Sequence, residues 1–251
     1  MSEAGLASDA AAGEVLLETV EMQTGYGDLR VVRDASITVR RGEITVLLGR
    51  NGAGKTTTLR GITGLNKVTG GSLRYLGEDI TGIPAAKRVR RGISYVQEGK
   101  RVFHDLTVEQ NLLLGGFSTG VGKRALAGSV EEIYELFPIL AEKRMLAAAS
   151  MSGGQQQMLA IGQALMAKPQ LLILDEPSQG LAPGIVKEVM QRVHALKQTG
   201  IGILLVEQIV QDSVAISDRV AILEMGKTVL SKPASEVTVE AIQEAYFGST
   251  A

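Results

Sequence analysis

The 251-residue chain contains no cysteine and no tryptophan, and it has only two histidines. The absence of cysteine excludes disulfides, thiolate catalysis and cysteine-ligated zinc, and it favours the cytoplasm as the compartment. His104 and His194 alone do not make a conventional metal cluster. Basic residues number 26 and acidic residues 27, so no excess of charge points to nucleic acid or to an anionic membrane surface.

Long apolar runs are also missing from the sequence. One of the longest, residues 203–206, is far shorter than the roughly 20 residues that span a bilayer. We therefore expect any membrane span to belong to another chain. The apolar content of 45% is nevertheless ample for a packed core.

The most specific motif is the glycine loop G-x-x-x-x-G-K-T at residues 49–56. It follows an apolar run and precedes a segment predicted to be helical, which is the context that a phosphate-binding loop requires. Backbone N–H groups of such a loop point at phosphate oxygens, and the following helix N-terminus adds partial positive charge. We expect Lys55 to reach the β- and γ-phosphates and the Thr56 hydroxyl to ligate Mg²⁺. The predicted nucleotide contacts in this loop are Gly49, Arg50, Asn51, Gly52, Ala53, Gly54, Lys55, Thr56 and Thr57.

A second apolar segment, residues 171–174, ends in two acids, Asp175 and Glu176. In a parallel sheet these acids lie at the carboxyl edge, where ligands of such folds bind. We expect Asp175 to hold Mg²⁺ and Glu176 to polarise the attacking water. The alternative is a pair of solvated acids at a strand end, and the complete glycine loop in the same chain disfavours it.

Residues 151–155, Met-Ser-Gly-Gly-Gln, predict a second anion site, because a capping serine and two glycines stand at a helix start. The glycine loop already surrounds the phosphates of its own nucleotide. We therefore expect Ser152, Gly153, Gly154 and Gln155 to contact a nucleotide held by another chain. An ordinary helix cap formed by Ser152 and Gln155 is the alternative.

The overall pattern predicts an α/β fold. Residues 1–13 predict a flexible tail, and alternating segments between Val15 and Val39 predict an antiparallel β layer. Strand–helix alternation after residue 170 then implies a mainly parallel sheet. Its predicted elements are strands at 171–174 and 203–206, a helix around 185–197 and a last strand near 220–223.

The middle third of the chain is predicted to be helical. Three capping patterns mark the helix starts. They are Thr107 with Gln110, Ser129 with Glu132, and Ser152 with Gln155.

Together these motifs resemble the ATP-binding subunits of ABC transporters over residues 14 to 248. The glycine loop resembles their Walker A motif, residues 151–155 their signature sequence and residues 171–176 their Walker B motif. The resemblance implies a P-loop NTPase core with a mainly parallel sheet, an antiparallel β layer and an inserted helical subdomain. It implies one domain over residues 14–251, with a core lobe at about 14–93 and 168–251 and a helical lobe at about 94–167.

In this family two chains enclose two ATP molecules head to tail. The resemblance therefore implies a second ABC ATPase as partner, in a heterodimer, and integral membrane permease subunits. It also implies ATP and Mg²⁺ as ligands, stacking of adenine on Tyr26, and a peripheral location at the cytoplasmic face of the inner (plasma) membrane. A periplasmic or extracellular substrate-binding protein is implied as an indirect partner.

Four further segments, residues 98–103, 134–138, 158–162 and 180–183, resemble the shorter ATPase of branched-chain amino-acid importers. Urea importers are the main competitor, and the cargo rests on family likeness because other subunits bind it. A soluble ABC module that clamps nucleic acid or ribosomes is disfavoured by the near-neutral charge and the lack of a long coiled insertion. A small-molecule phosphoryl transferase would leave the 151–155 segment without a role.

Two positions depart from the common family pattern. Glu98 stands where most relatives have glutamine, and Gln97 is shifted by one position; a carboxylate can ligate Mg²⁺ but cannot donate a hydrogen bond. A solvated loop acid is the alternative for Glu98. Gln208 stands where most relatives have histidine; its amide can donate to a γ-phosphate oxygen but does not titrate. We hypothesise that the two ATP sites of a heterodimer are unequal.

Overall fold

The computed structural model of the protein describes residues 13–99, 101–208, 210–238 and 242. The tail predicted at residues 1–13 lies outside the described residues except for Gly13, and so does Lys100 of the 98–103 segment. In the part of the chain that is described, no helix is both long and apolar enough to cross a bilayer.

The described strands form one ten-stranded sheet in the order β5-β4-β1-β2-β10-β9-β3-β8-β7-β6. Their bounds are β1 Val15–Tyr26, β2 Leu29–Arg40, β3 Ile44–Leu48, β4 Val68–Tyr75, β5 Glu78–Asp79, β6 Ile93–Val96, β7 Leu171–Asp175, β8 Gly202–Val206, β9 Arg219–Glu224 and β10 Lys227–Pro233. Strands β9, β3, β8, β7 and β6 are mutually parallel, whereas β5, β4, β1 and β2 are antiparallel. The predicted antiparallel layer and mainly parallel sheet are both confirmed.

The described helices are α1 Lys55–Thr63, α2 Ala85–Arg90, α3 Val108–Gly115, α4 Lys123–Leu136, α5 Pro138–Glu142, α6 Gly153–Leu165, α7 Pro183–Leu196 and α8 Val210–Ile216. Helices α3 to α6 follow one another between β6 and β7, as the predicted helical insertion requires. Strand β6 pairs with β7, so the sheet extends to Val96 before the helices begin.

The central strands β3, β7 and β8 are buried along their whole length and mostly apolar, because both faces of the sheet are covered. Successive residues of a strand point to opposite faces, so the two sides of the sheet have separate cores. In β3, for example, Val46 packs in the core on the side of the helical insertion, and Leu47 packs against α1 and the antiparallel layer. The central strands are therefore held rigidly on both sides, and residues at their carboxyl ends are placed accurately.

Two of the three predicted helix starts are confirmed. Thr107 caps α3 and Ser152 caps α6, each in a complete capping box with the glutamine three residues later. The prediction that a helix begins after Ser129 is wrong. Ser129 lies inside α4, where its buried hydroxyl donates to the carbonyl of Ala125 at 3.3 Å. A Ser-x-x-Glu spacing also occurs within helices, and here the helix starts six residues earlier, after Gly122.

The prediction that the strand near 220–223 is the last strand is also wrong. Strand β10 follows it and pairs antiparallel with β9. The half-exposed β10 has only two adjacent apolar side chains, Val229 and Leu230, between polar residues that include Lys227, Ser231 and Lys232, so it lacks an apolar run. Helix α8 was not predicted either.

Candidate active site

The glycine loop connects β3 to α1, as its sequence predicts. Gly52 and Gly54 have φ values of 82° and 105°, which side chains other than glycine rarely adopt. Gly54 is the N-cap residue of α1, and no side chain caps this helix. The first turn of α1 therefore presents backbone N–H groups and the positive end of the helix dipole towards the loop. This arrangement favours an anion.

Lys55 is only 5% exposed and lies across the loop that precedes it. Its Nζ donates to the carbonyl oxygens of Gly49 at 2.8 Å and Arg50 at 3.3 Å. The same Nζ lies 3.8 Å from Oε1 of Glu176. The lysine ammonium is thus held between the loop and the acid that follows β7.

Asp175, at the end of β7, is 1% exposed. One carboxylate oxygen accepts from the hydroxyl of Thr56 at 3.3 Å, and the other accepts from the hydroxyl of Tyr95 at 2.8 Å. Burial raises the pKa of Asp175, the two hydrogen bonds oppose that rise, and the nearby carboxylates of Glu176 and Glu98 add to it. The buried carboxylate is therefore fixed in position but short of positive charge.

Glu176 follows at φ 49°, a left-handed conformation that is strained for a residue with a side chain. Its Oε2 accepts from Nε2 of Gln208 at 2.6 Å and from Nε2 of Gln179 at 3.3 Å. Strands β7 and β8 are parallel with Asp175 opposite Val206, so both strands deliver their next residues to the same edge. The predicted pair Glu176 and Gln208 is thereby brought into direct contact.

Lys55, Glu176 and Gln208 face one cavity of about 350 Å³, whereas Asp175 does not line it and lies behind Thr56. The cavity is lined by Val31, Asn51, Gly52, Gly54, Lys55, Thr56, Thr57, Glu98, Glu176, Gln179 and Gln208. Of the other loop residues, Gly49 and Arg50 line an adjoining cavity together with Asn51 and Gln208. Ala53 is buried under the loop, and its carbonyl accepts from the N–H of Gly226.

The residues predicted to ligate Mg²⁺ fit that ion chemically. The Thr56 hydroxyl and the Asp175 carboxylate are in direct contact, and the exposed Glu98 lines the same cavity as Thr56. All three offer hard oxygen ligands, and no lysine or arginine of the described residues forms an ion pair with the buried Asp175 carboxylate. Gln97 lines a different cavity, between β6 and α6. No group of three or more His, Cys, Asp or Glu residues suited to a metal occurs among the described residues, so hydroxyl and phosphate oxygens would complete the ligand set.

Tyr26 stands beside this cavity with 47% of its surface exposed. Its hydroxyl accepts from the Thr57 hydroxyl at 3.5 Å, and the Arg60 guanidinium lies 5.7 Å from the ring centroid. The ring is therefore tethered to α1 yet accessible, as a stacking platform needs to be.

The turn at Ser152 is built differently from the loop. Ser152 is exposed, its Oγ accepts from the N–H of Gln155 at 3.4 Å, and its own N–H donates to Gln155 Oε1 at 3.0 Å. A Cβ on Gly154 would approach Ile185 Cγ2 to 2.2 Å, so this glycine allows α6 to pack closely against α7. Among the described residues that line the 350 Å³ cavity, none comes from the Ser152–Gln155 turn.

Two residues of this region, Tyr95 and Gln179, were not identified from the sequence, and Glu207 of the segment Glu207-Gln208 was given no role there. Tyr95 lies on the short strand β6, which was not predicted. Gln179 belongs to the turn after Glu176, and Glu207 is adjacent to the predicted Gln208. The acidic end of β7 was a sequence signal near Gln179, and the pair Glu207-Gln208 was one for Glu207. The hydrogen-bond partners of Gln179 and Glu207 could not be predicted, because they depend on strand register.

Comparison with known proteins agrees with this geometry. The family model described as ABC transporter matches residues 32–179. The high-affinity branched-chain amino acid transport ATP-binding protein BraG of Pseudomonas aeruginosa is 42% identical over 93% of this chain and 100% of its own length. A probable branched-chain amino acid transport ATP-binding protein, LivF of Archaeoglobus fulgidus, is 34% identical over 88% of this chain and 94% of its own.

A similar structure has also been solved. It is a nucleotide-free ATP-binding cassette from an ABC transporter, with a TM-score of 0.81 and 26% identity over 92% of this chain and 94% of that one. The family model covers more than half of the chain, and the motifs it spans include the glycine loop and both acids after β7. The chain therefore belongs to the ABC transporter family, as one of its ATPases.

Proposed function

We propose that this chain is the ATP-hydrolysing, energy-coupling subunit of an importer for branched-chain amino acids. The observation that carries the ATPase part is the convergence of Lys55, Glu176 and Gln208 on one cavity at the uncapped start of α1. The likeness to BraG along its entire length supports the cargo assignment. Urea remains the competing cargo.

Within that cavity each residue has a distinct task. The loop N–H groups and Lys55 bind the phosphates of ATP, with Lys55 exchanging its carbonyl partners for phosphate oxygens. Glu176 orients the attacking water, and Gln208 holds the Glu176 carboxylate from the other side. Tyr26 offers the free part of its ring to adenine. Bound Mg²⁺, held by Thr56, Asp175 and Glu98, would neutralise charge on the phosphates.

We propose that the nucleotide-binding site is completed by a second ABC ATPase, whose Ser-Gly-Gly-Gln turn covers the bound ATP. The exposed Ser152 and its position away from this chain's own cavity support a reciprocal role, in which this turn contacts ATP on the partner. Closure of such a pair around ATP and its reopening after hydrolysis would drive the permease through the difference in ATP affinity between the two states. No nucleic acid takes part.

The permease would dock at a larger cavity of about 940 Å³ between α2 and the segment after α3. Apolar residues line its interior, including Val89 and Phe117, and Phe117 is 84% exposed. Arg90, Arg91 and Lys168 also line it, and Arg91 and Lys168 form ion pairs with Glu78 and Glu132, each at 2.9 Å. A short helix of a membrane subunit with apolar and acidic side chains matches this surface, and such docking would place the chain at the cytoplasmic face of the inner (plasma) membrane.

Uptake by cells that lack this chain tests the proposal. Deletion is expected to abolish import of leucine, isoleucine and valine, and re-expression of the wild type but not of Lys55→Ala is expected to restore it. Uptake of labelled urea in the same cells is the control. Loss of urea uptake with intact amino-acid uptake would assign the chain to a urea importer. Co-purification with RNA or DNA instead of membrane subunits would contradict both transport assignments.

A further inference from the structure

The buried carboxylate of Glu207 lies directly after β8 and is only 1% exposed. Its Oε1 accepts from the N–H of Ser178 at 3.0 Å, and its Oε2 accepts from the Ser178 hydroxyl at 2.7 Å and the N–H of Gln208 at 3.2 Å. Within the described residues no lysine or arginine forms an ion pair with it. Burial raises the pKa of Glu207, and the hydrogen bonds from Ser178 oppose that rise.

The register of β7 and β8 explains why these groups meet. Asp175 pairs with Val206, and the N–H of Glu176 continues the ladder by donating to the carbonyl of Val206 at 2.9 Å. The next residues of both strands are therefore side by side. Glu207 binds Ser178 while the adjacent Gln208 binds the Glu176 side chain. Two consecutive residues thus hold two points of the turn 176–178.

This turn needs external support. Glu176 has a left-handed backbone, which is strained for a residue with a side chain and persists only where surrounding contacts impose it. Two of the three donors to the buried Glu207 carboxylate, the N–H and the hydroxyl of Ser178, belong to the turn and link it to the end of a central strand. Glu207 itself is not among the residues that line the 350 Å³ cavity, so it acts on the reaction only through its neighbours.

We propose that Glu207 is a positioning residue for ATP hydrolysis, which fixes the turn after β7 and thereby keeps the Glu176 carboxylate against Gln208. This inference rests on the proposed role of Glu176. A purely structural role would instead make Glu207 matter for folding and nucleotide binding as much as for turnover.

Glu207→Gln is the sharpest variant because it keeps the shape and removes acceptors. A glutamine has one acceptor oxygen and one donor group. In one orientation its NH₂ faces the N–H of Ser178, and in the other it faces the N–H of Gln208, so one backbone donor always loses its acceptor. Ser178→Ala is the milder variant, since it removes only the hydroxyl and leaves both backbone hydrogen bonds.

The experiment measures kcat and KM for ATP, ATP affinity and Tm of the full-length chain assembled with its permease. Glu207→Gln is expected to lower kcat about tenfold or more, while KM and ATP affinity stay within about twofold. Ser178→Ala is expected to lower kcat about threefold. Glu43→Gln is the matched control. Burial also raises the pKa of the Glu43 carboxyl, but Glu43 precedes β3 and so lies at the opposite ends of the strands. The kcat of the Glu43→Gln variant is therefore expected to equal that of the wild type.

The inference is overturned if Glu207→Gln folds and keeps its kcat, or if ATP affinity and kcat fall together. If that variant does not fold, Ser178→Ala decides, and an unchanged kcat overturns the inference. Wild-type turnover separates this test from the proposed function. An inactive wild-type complex would contradict the proposed function, whereas an active wild type with an equally active Glu207→Gln variant would contradict only the positioning role.

Discussion

The glycine loop and the Ser152 turn both stand at helix starts, yet they are built in opposite ways. Helix α1 begins at Gly54 without a capping side chain, and Lys55, Thr56 and Glu176 surround that start. Helix α6 begins with both donors of its capping box satisfied by Ser152 and Gln155, and Ser152 faces outward. Under the proposed function, the loop is a phosphate cradle formed within one chain, and the turn, which does not line that cavity, is left to contact a ligand held by another chain.

Lys55→Ala tests the loop and should have the largest effect. It removes a buried ammonium that lies among loop carbonyls and beside Glu176, so phosphate charge would lose its main direct partner. We expect turnover to fall about a thousandfold, with a large loss of ATP affinity. ATPase assays and binding of a fluorescent ATP analogue measure this. Unchanged affinity and turnover would remove the basis for assigning phosphates to the loop.

Glu176→Gln separates ATP hydrolysis from ATP binding at the site that contains this chain's glycine loop. We expect turnover at this site to fall at least about a hundredfold while ATP affinity stays within about threefold, because the amide keeps its size but cannot polarise water as a carboxylate does. The matching acid of the partner ATPase should be changed in parallel. Unequal sites predict unequal losses of turnover from the two changes, and equal losses would refute the hypothesis of inequality.

Gly154→Ala tests whether the close packing of α6 against α7 is needed to place the Ser152 turn. The new Cβ would lie 2.2 Å from Ile185 Cγ2, so α6 must shift away from α7. We expect a loss of about 1–3 kcal/mol in the free energy of unfolding and a lower turnover of the assembled complex, with ATP affinity of the isolated chain unchanged. Thermal unfolding and calorimetry measure both quantities.

Gly184→Ala is the control for that packing change, because nothing lies within 4 Å of the added Cβ and the residue is in the first turn of α7. It is expected to be neutral or slightly stabilising. A Gly154→Ala variant as stable and as active as this control would mean that the start of α6 tolerates displacement.

Tyr95→Phe is expected to act on metal binding alone, and it tests how the loop side is supported. It removes one of the two hydroxyl donors to the buried Asp175. We expect about tenfold weaker Mn²⁺ binding in the presence of ATP, measured by electron paramagnetic resonance. Tyr134→Phe removes a similar hydroxyl from Glu109 in the helical region and should leave Mn²⁺ affinity unchanged. Equal affinities in both variants would contradict a supporting role for Tyr95.

Sequence patterns predicted the parts of the fold with strong local signals. The strands β3, β7 and β8 are mostly apolar because both faces are buried, and the capping boxes at Thr107 and Ser152 are local by nature. The same local pattern failed at Ser129, where the helix start lies upstream. Strand β10 was not predicted because it gives no strong local signal: it is half-exposed and includes several polar side chains.

The supporting contacts of the site were beyond sequence patterns because they join distant positions. The hydrogen bond from Tyr95 to Asp175 spans 80 residues, and it depends on the parallel pairing of β6 with β7. The hydrogen bonds from Ser178 to Glu207 depend in the same way on the register of β7 and β8. Motifs predicted most of the residues that line the cavity, but not Val31 or Gln179, and the residues that hold them became visible only with the sheet pairing.

Ser152→Ala tests most directly the claim that ATP is enclosed by two chains. ATP affinity of the isolated chain is expected to stay within about twofold, while turnover of the assembled complex falls about tenfold. Thr107→Ala removes an equivalent capping box from α3 and should leave turnover unchanged. It is the control for the effect of losing a helix cap, as distinct from losing a contact with ATP. A Ser152→Ala variant that lowers ATP affinity of the isolated chain, or that leaves turnover of the complex intact, would contradict the account.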